Sequence, residues 1–177
     1  MRFLLIPLVA LALASCGKPV PEPTEESRAV IEGLEQLCAV YLQPGSTKKI
    51  EVYDAKMKML GWETDNPPGI YLFNKEGAWG RVRIAIGADF KGACTIRAWA
   101  GADATTHDAA ASAVAIQAWA KQNAPDARHE KDRVAGDGPP GALRSEWKGG
   151  GWSIVLKELP LKGGRPVTQV DIRRGIF

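Results

Sequence analysis

Cys38 and Cys94 restrict this fold more than any other pair of residues, because hydrophobic periodicity puts one on the buried side of a helix and the other on the buried side of a strand. Val30, Ile31, Leu34, Leu37, Cys38 and Tyr41 recur on one face at helical spacing. Cys94, Ile96 and Ala98 share one side of a strand, with Thr95, Arg97 and Trp99 on the other. If the two sulfurs face each other, a bond between them staples a sheet to the first helix.

Whether such thiols are oxidised depends on the compartment. The chain opens with Arg2, an apolar run from Phe3 to Ala14 and then the small residues Ser15, Cys16 and Gly17. That is the order of a secretory signal. The run is interrupted by Pro7 and falls short of the roughly 20 apolar residues a bilayer-spanning helix needs. Residues 1–15 are therefore expected to be a cleaved leader.

Leu13-Ala14-Ser15-Cys16 resembles the lipobox of bacterial lipoproteins, in which the cysteine is lipidated and becomes the first mature residue. The resemblance implies diacylglycerol on the Cys16 sulfur and usually a further acyl chain on the new amino terminus, more than the two signals stable anchoring requires. The membrane is then a partner through the lipid anchor. Gly17 in place of an aspartate implies, by the same resemblance, the outer membrane; it does not decide between the surface and the periplasmic side, the latter being the expectation. With Cys16 used by the anchor, Cys38 and Cys94 remain as an even pair in an oxidising compartment and are expected to be bonded.

Loss of 15 residues from 177 leaves 162, the length of one ordinary domain. Residues 16–26, from the lipidated cysteine through Gly17-Lys18-Pro19-Val20-Pro21-Glu22-Pro23, read as a proline-rich extended tether. Residues 27–177 are expected to be a single globular α+β domain. Losing Arg2 leaves 22 basic residues against 20 acidic ones. This near-neutral balance argues against nucleic acid as a partner, which calls for a basic face or stripe.

Thr24 caps a first helix with Glu25 and Glu26 in its first turn, and Gln43-Pro44-Gly45 ends it. Ser46 or Thr47 caps a second helix carrying Ile50, Tyr53, Met57 and Leu60, stopped by Gly61. Strands follow at Ile70–Phe73, Arg81–Ile86 and around Cys94, with Asn74-Lys75-Glu76-Gly77 read as a turn. Thr105-x-x-Asp108 resembles a capping box ahead of an alanine-rich helix to about Gln122, whose small-residue face holds Ala109, Ser112, Ala113, Ile116, Trp119 and Ala120. Pro125–Gly141 is read as a long surface loop, and Ala142–Lys148, Trp152–Glu158 and Val167–Arg173 as strands. The expected order is ααβββ-αβββ, with helices packed on an antiparallel sheet. Matches of Gly69 with Gly141, Trp79 with Trp152 and Ile96 with Val170 suggest a tandem αβββ repeat.

With Leu37-Cys38 on a helix, Gly61-Trp62 at a helix stop, a strand cysteine at 94 and Trp119 on a helix, the chain resembles small exported proteobacterial proteins of unknown function. Its element order is also similar to that of small outer-membrane lipoproteins that assist barrel assembly and of tandem β-lactamase inhibitor proteins. These likenesses are of fold and carry no activity.

The chain lacks a Gly-x-Ser-x-Gly elbow and has only two histidines, His107 and His129, so no hydrolytic triad is expected and no catalytic residue is assigned. Neither His129-Glu130-x-Asp132 nor Asp103, His107 and Asp108 has a recognisable metal-ligand spacing, and no metal or cofactor is expected. Gly149-Gly150-Gly151 lies between strands and reads as a turn, not a phosphate loop. Five of six tryptophans read as core. Trp99 is the exception, and with Arg81, Arg83 and Arg97 on the non-core faces of adjacent strands it is the candidate binding surface.

The expected function is that of a non-catalytic envelope lipoprotein that binds a protein or a cell-wall polymer. The competing readings are an envelope enzyme acting on glycan or peptide through an acidic pair such as Asp103 and Asp108, and an inhibitor or immunity lipoprotein. Metabolic labelling with palmitate checks the anchor: label should be incorporated by the native chain and disappear from Cys16→Ala.

Overall fold

The computed structural model describes residues 24–47, 49–87, 93–100, 109–134, 143–160 and 166–175. Cys16, the tether up to Pro23 and the Thr105–Asp108 box lie outside these residues, while Thr24, Glu25 and Glu26, counted with the tether, belong to the start of the first helix. Thr24 opens the first helix, its hydroxyl accepting from the Ser27 backbone N–H at 3.1 Å, with Glu25 and Glu26 in the dipole-favoured first turn. The helix runs as α1 (Glu25–Gly33), a π-helical turn (Leu34–Cys38) and α2 (Ala39–Leu42). The wide turn shifts the phase of the buried stripe, which passes from Val30 through Leu34, Leu37 and Cys38 to Leu42. Tyr41 and Ile31, expected on that stripe, are only half-buried at its margin.

The second helix, α3 (Glu51–Met59), starts later than its expected cap at Ser46 or Thr47, since the cap position is Ile50 and lacks a side-chain acceptor. Thr47 instead shapes the preceding turn: its hydroxyl accepts from the Lys49 N–H at 3.2 Å and its carbonyl from the Tyr53 hydroxyl at 3.0 Å. At the far end, Gly61 N–H donates to the Lys58 carbonyl and Trp62 N–H to the Met57 carbonyl, both at 3.0 Å, the two bonds of a Schellman stop.

Eight strands form one open antiparallel sheet in the order β1-β2-β3-β4-β8-β7-β6-β5. They are β1 (Glu63–Asp65), β2 (Ile70–Gly77), β3 (Gly80–Gly87), β4 (Ala93–Ala100), β5 (Arg128–Val134), β6 (Leu143–Gly149), β7 (Trp152–Pro160) and β8 (Pro166–Arg174), with α4 (Ala109–Asn123) between the two sets of four. The architecture is α+β and mostly sheet. Three expectations are corrected. Each set has a fourth strand, because β1 and β5 were not anticipated. Asn74–Gly77 continues β2 in register with β3, and the chain reverses at residues 78 and 79. Finally, part of Pro125–Gly141, expected to be loop throughout, is strand β5, an edge strand paired only with β6.

The β6–β7 reversal is the expected triple-glycine turn. Gly150 and Gly151 take φ of +58° and +78°, the backbone of a two-residue hairpin turn that side-chain-bearing residues rarely adopt. Along the central strands, alternation sorts the two faces. Val82, Ile84, Ile86, Cys94, Ile96, Ala98, Val170 and Ile172 point into one core with the helical stripe, and β7 and β6 extend it with Ile154, Leu156, Trp152 and Trp147. On this side α1 packs against β3, β4 and α4. Gly33 permits that approach, since a Cβ there would stand 2.6 Å from the Ile84 Cδ1. Trp119 of α4 meets Trp152 edge-on at 5.7 Å.

Two links tie helix to sheet. Glu32 Oε1 accepts from the Trp62 indole N–H and from Lys75 Nζ of β2, each at 2.6 Å, while the same Nζ donates to the Leu60 carbonyl at 2.8 Å. Cys38 and Cys94 are bonded, with Cα atoms 5.6 Å apart. They are 56 residues apart in sequence, so the bond closes a loop worth about 4 kcal/mol in the chain-entropy account. Urea denaturation of Cys38→Ser/Cys94→Ser should show a loss of that order. A loss under about 1 kcal/mol would mean that packing alone fixes the helix on the sheet.

Candidate functional site

On the far side of the sheet no described helix packs, and the strands alone shape a groove of about 480 Å³. It is lined by Ile70 and Leu72 of β2, Arg83 and Ala85 of β3, Ala93, Thr95 and Arg97 of β4, and Gln169, Asp171 and Arg173 of β8. Strand pleating sends alternate side chains to this face, and antiparallel register aligns them in rows. One row reads Asn74, Arg83, Arg97, Gln169, Lys157 across five strands, and the next Leu72, Ala85, Thr95, Asp171, Val155.

Arg83 and Arg97 therefore stand directly opposite each other. Facing like charges disfavour a sheet. Neither is neutralised by a carboxylate: Arg83 Nε donates to Asn74 Oδ1 at 2.7 Å and Arg97 Nε to Gln169 Oε1 at 2.9 Å, both neutral amides. Among the described residues no carboxylate lies within ion-pair distance of Arg83, Arg97 or Arg173. Asp171, the one acid among the described residues of the groove, is already engaged. It accepts from the Thr95 hydroxyl at 2.9 Å and from Gln169 Nε2 at 2.9 and 3.0 Å, and lies 3.7 Å from Lys157 Nζ. The groove thus carries three guanidinium charges against one occupied carboxylate, with apolar side chains between them.

The four residues singled out in the sequence share this face but differ in state. Arg83 and Arg97 line the groove. Arg81 is spent in an exposed ion pair with Glu76 on β2. Trp99, half-buried, lies under Arg83, whose guanidinium carbon is 5.8 Å from the ring centroid, so the ring helps to position that arginine. Arg173, Gln169 and Asp171 were missed. Their period-two spacing along β8 marks them as one face, but nothing local in the sequence says that β8 lies beside β4.

The other assignments have no comparable geometry. His129 stacks on Trp147, ring centroids 4.7 Å apart and planes 11° from parallel. Among the described residues no three His, Cys, Asp or Glu side chains cluster as metal ligands. Asp103, His107 and Asp108 lie outside the described residues. A second, more open recess of about 520 Å³ between α1 and α4 is lined by Arg28, Glu32, Glu35, Ile31, Trp119 and small or amide side chains, and its Glu32 is committed to Trp62 and Lys75. No family model, curated protein or solved structure matches the chain.

Because the facing arginines oppose folding, Arg97→Gln should leave stability unchanged or raise it by about 0.5 kcal/mol. Urea denaturation checks this, and added salt should shrink the difference by screening the repulsion. A loss above about 1 kcal/mol would show that Arg97 is there for structure.

Proposed function

We propose that this chain is a non-catalytic lipoprotein of the cell envelope, which binds a negatively charged protein or cell-wall polymer through the open face of its sheet. The observation that carries the reading is the Arg83–Arg97 pair, two facing guanidinium groups oriented by neutral amides and left without a carboxylate. Internal ion pairs discharge surface cations elsewhere in the molecule, as between Lys58 and Asp54 at 2.7 Å, Lys75 and Glu32 at 2.6 Å, and Lys148 and Glu146 at 2.9 Å. Undischarged, pre-oriented guanidinium groups are suited to an anionic partner. The anchor at Cys16 places this face at an envelope membrane, and the Cys38–Cys94 bond suits an oxidising compartment.

The framework is in this reading a tandem duplication, with four strands in each half. The order β1-β2-β3-β4-β8-β7-β6-β5 supports it, as the two halves meet β4 to β8. Ile96 and Val170, matched in the sequence, are cross-strand partners at that seam, where a twofold between the halves would bring equivalent residues together.

Partner recovery from native membranes tests the function. The native protein and an Arg83→Glu/Arg97→Glu variant, shown to melt alike, are cross-linked and captured side by side. The variant should lose the captured partner at least tenfold. Equal recovery would reject this face as the binding surface.

A further inference from the structure

The geometry points to a phosphate-bearing acyl lipid as the occupant of the groove between β2, β3, β4 and β8. This rests on the reading of that face as a surface for an anionic partner, and departs from the protein or polymer named there by assigning the groove itself to a lipid. The polar end is set by Arg83 and Arg97, each holding a neutral amide oxygen through Nε, so the terminal nitrogens of both forks are left for a ligand. Arg173 adds a third cation to the same lining. A single carboxylate has two oxygens, which one guanidinium fork satisfies, and the second arginine of a facing pair would keep its charge. A phosphate monoester offers three unesterified oxygens and up to two charges, where a diester, like a carboxylate, has two oxygens and one charge. The monoester can accept from both forks at once and remove the repulsion between them.

The remainder of the lining argues for what the phosphate is attached to. Leu72, Ala85, Ala93 and Ile70 form an aliphatic surface beside the arginines, and Ile70 is one of few large apolar side chains exposed among the described residues. Among the described residues no aromatic side chain lines the groove, and methylene groups gain by leaving water along its aliphatic side chains. A volume of about 480 Å³ accommodates a headgroup with a short length of chain rather than a folded partner. The proposed anchor holds the domain at a bilayer, where phosphate esters of acyl lipids are abundant.

Titration calorimetry on the purified full-length protein separates the sources. The probes are dihexanoyl phosphatidic acid below its micellar concentration, dihexanoyl phosphatidylcholine, inorganic phosphate and an oligoglutamate peptide. The anionic lipid should bind one to one, at least tenfold tighter than the other three. Arg83→Gln and Arg97→Gln should each weaken it tenfold or more, and Leu72→Gln should bring its affinity down to that of inorganic phosphate. Arg83→Lys and Arg97→Lys keep charge and fold while removing the fork, and should also weaken it. Equal affinity for inorganic phosphate would overturn the lipid assignment, as would equal affinity for phosphatidylcholine. Tighter binding of the peptide, lost in the same arginine variants, would overturn it in favour of an acidic protein and leave the binding face standing. Binding of no probe, together with partner recovery insensitive to Arg83→Glu/Arg97→Glu, would remove both readings.

Discussion

The bond between Cys38 and Cys94 joins the first helix to a strand beside the middle of the sheet, and much of the molecule is arranged so that these two sulfurs can meet. The π turn Leu34–Cys38 brings Leu34, Leu37 and Cys38 onto the buried side together. Gly33 lets the helix come down on Ile84, and Glu32, one residue earlier, ties Trp62 and Lys75 to the same level. With rotation and height fixed at adjacent positions, the helix seals one face of the sheet over β3 and β4. The opposite face gains no helix among the described residues.

How much of this was legible follows from which forces are local. Strands β3 and β4 and helix α4 were readable because one side of each meets the core, and period two or three to four is written in their apolar residues. Strand β5 was not, because Arg128-His129-Glu130-Lys131-Asp132-Arg133 carries no apolar alternation. The core contact on its described side chains is an aromatic one, His129 on Trp147. Asn74-Lys75-Glu76-Gly77 has the composition of a turn, yet each polar residue has a distant reason to be in a strand: Asn74 holds Arg83, Lys75 reaches Glu32 and Glu76 pairs with Arg81. Half of the candidate site was visible for a similar reason. Arg83 and Arg97 belong to consecutive strands of a meander, whereas Gln169, Asp171 and Arg173 reach the groove only through pairing of β4 with a strand more than sixty residues away.

The edges of the sheet bear on where the proposed partner would bind. An open sheet exposes unpaired backbone groups on its outer strands, and a partner strand can add there. Here β1 is only three residues long, and β5 is rich in charge and has a register shift between Glu130 and Arg133. Both features discourage strand addition. The face of the sheet is left as the larger feature, and the groove lies on it across the junction of the two halves, with β4 and β8 both contributing.

Within that face, charge is handled in two ways. Arg81 is matched by Glu76, Lys148 by Glu146, and Lys157 by Asp171. At Arg83 and Arg97 the same sheet places a neutral amide at the corresponding distance, although a carboxylate at Asn74 or Gln169 would relieve a direct repulsion. A sequence that specifies one fold normally removes such conflicts, and where one persists on central strands its compensation is sought in function. The amides accept from Nε and so fix each guanidinium group in plane, but they contribute no charge. Orientation without neutralisation has no use in holding the sheet together, since an ion pair would orient the side chain and stabilise the fold as well. It would be of use where the missing negative charge arrives from outside, and the facing pair is therefore the observation on which the proposed binding face rests.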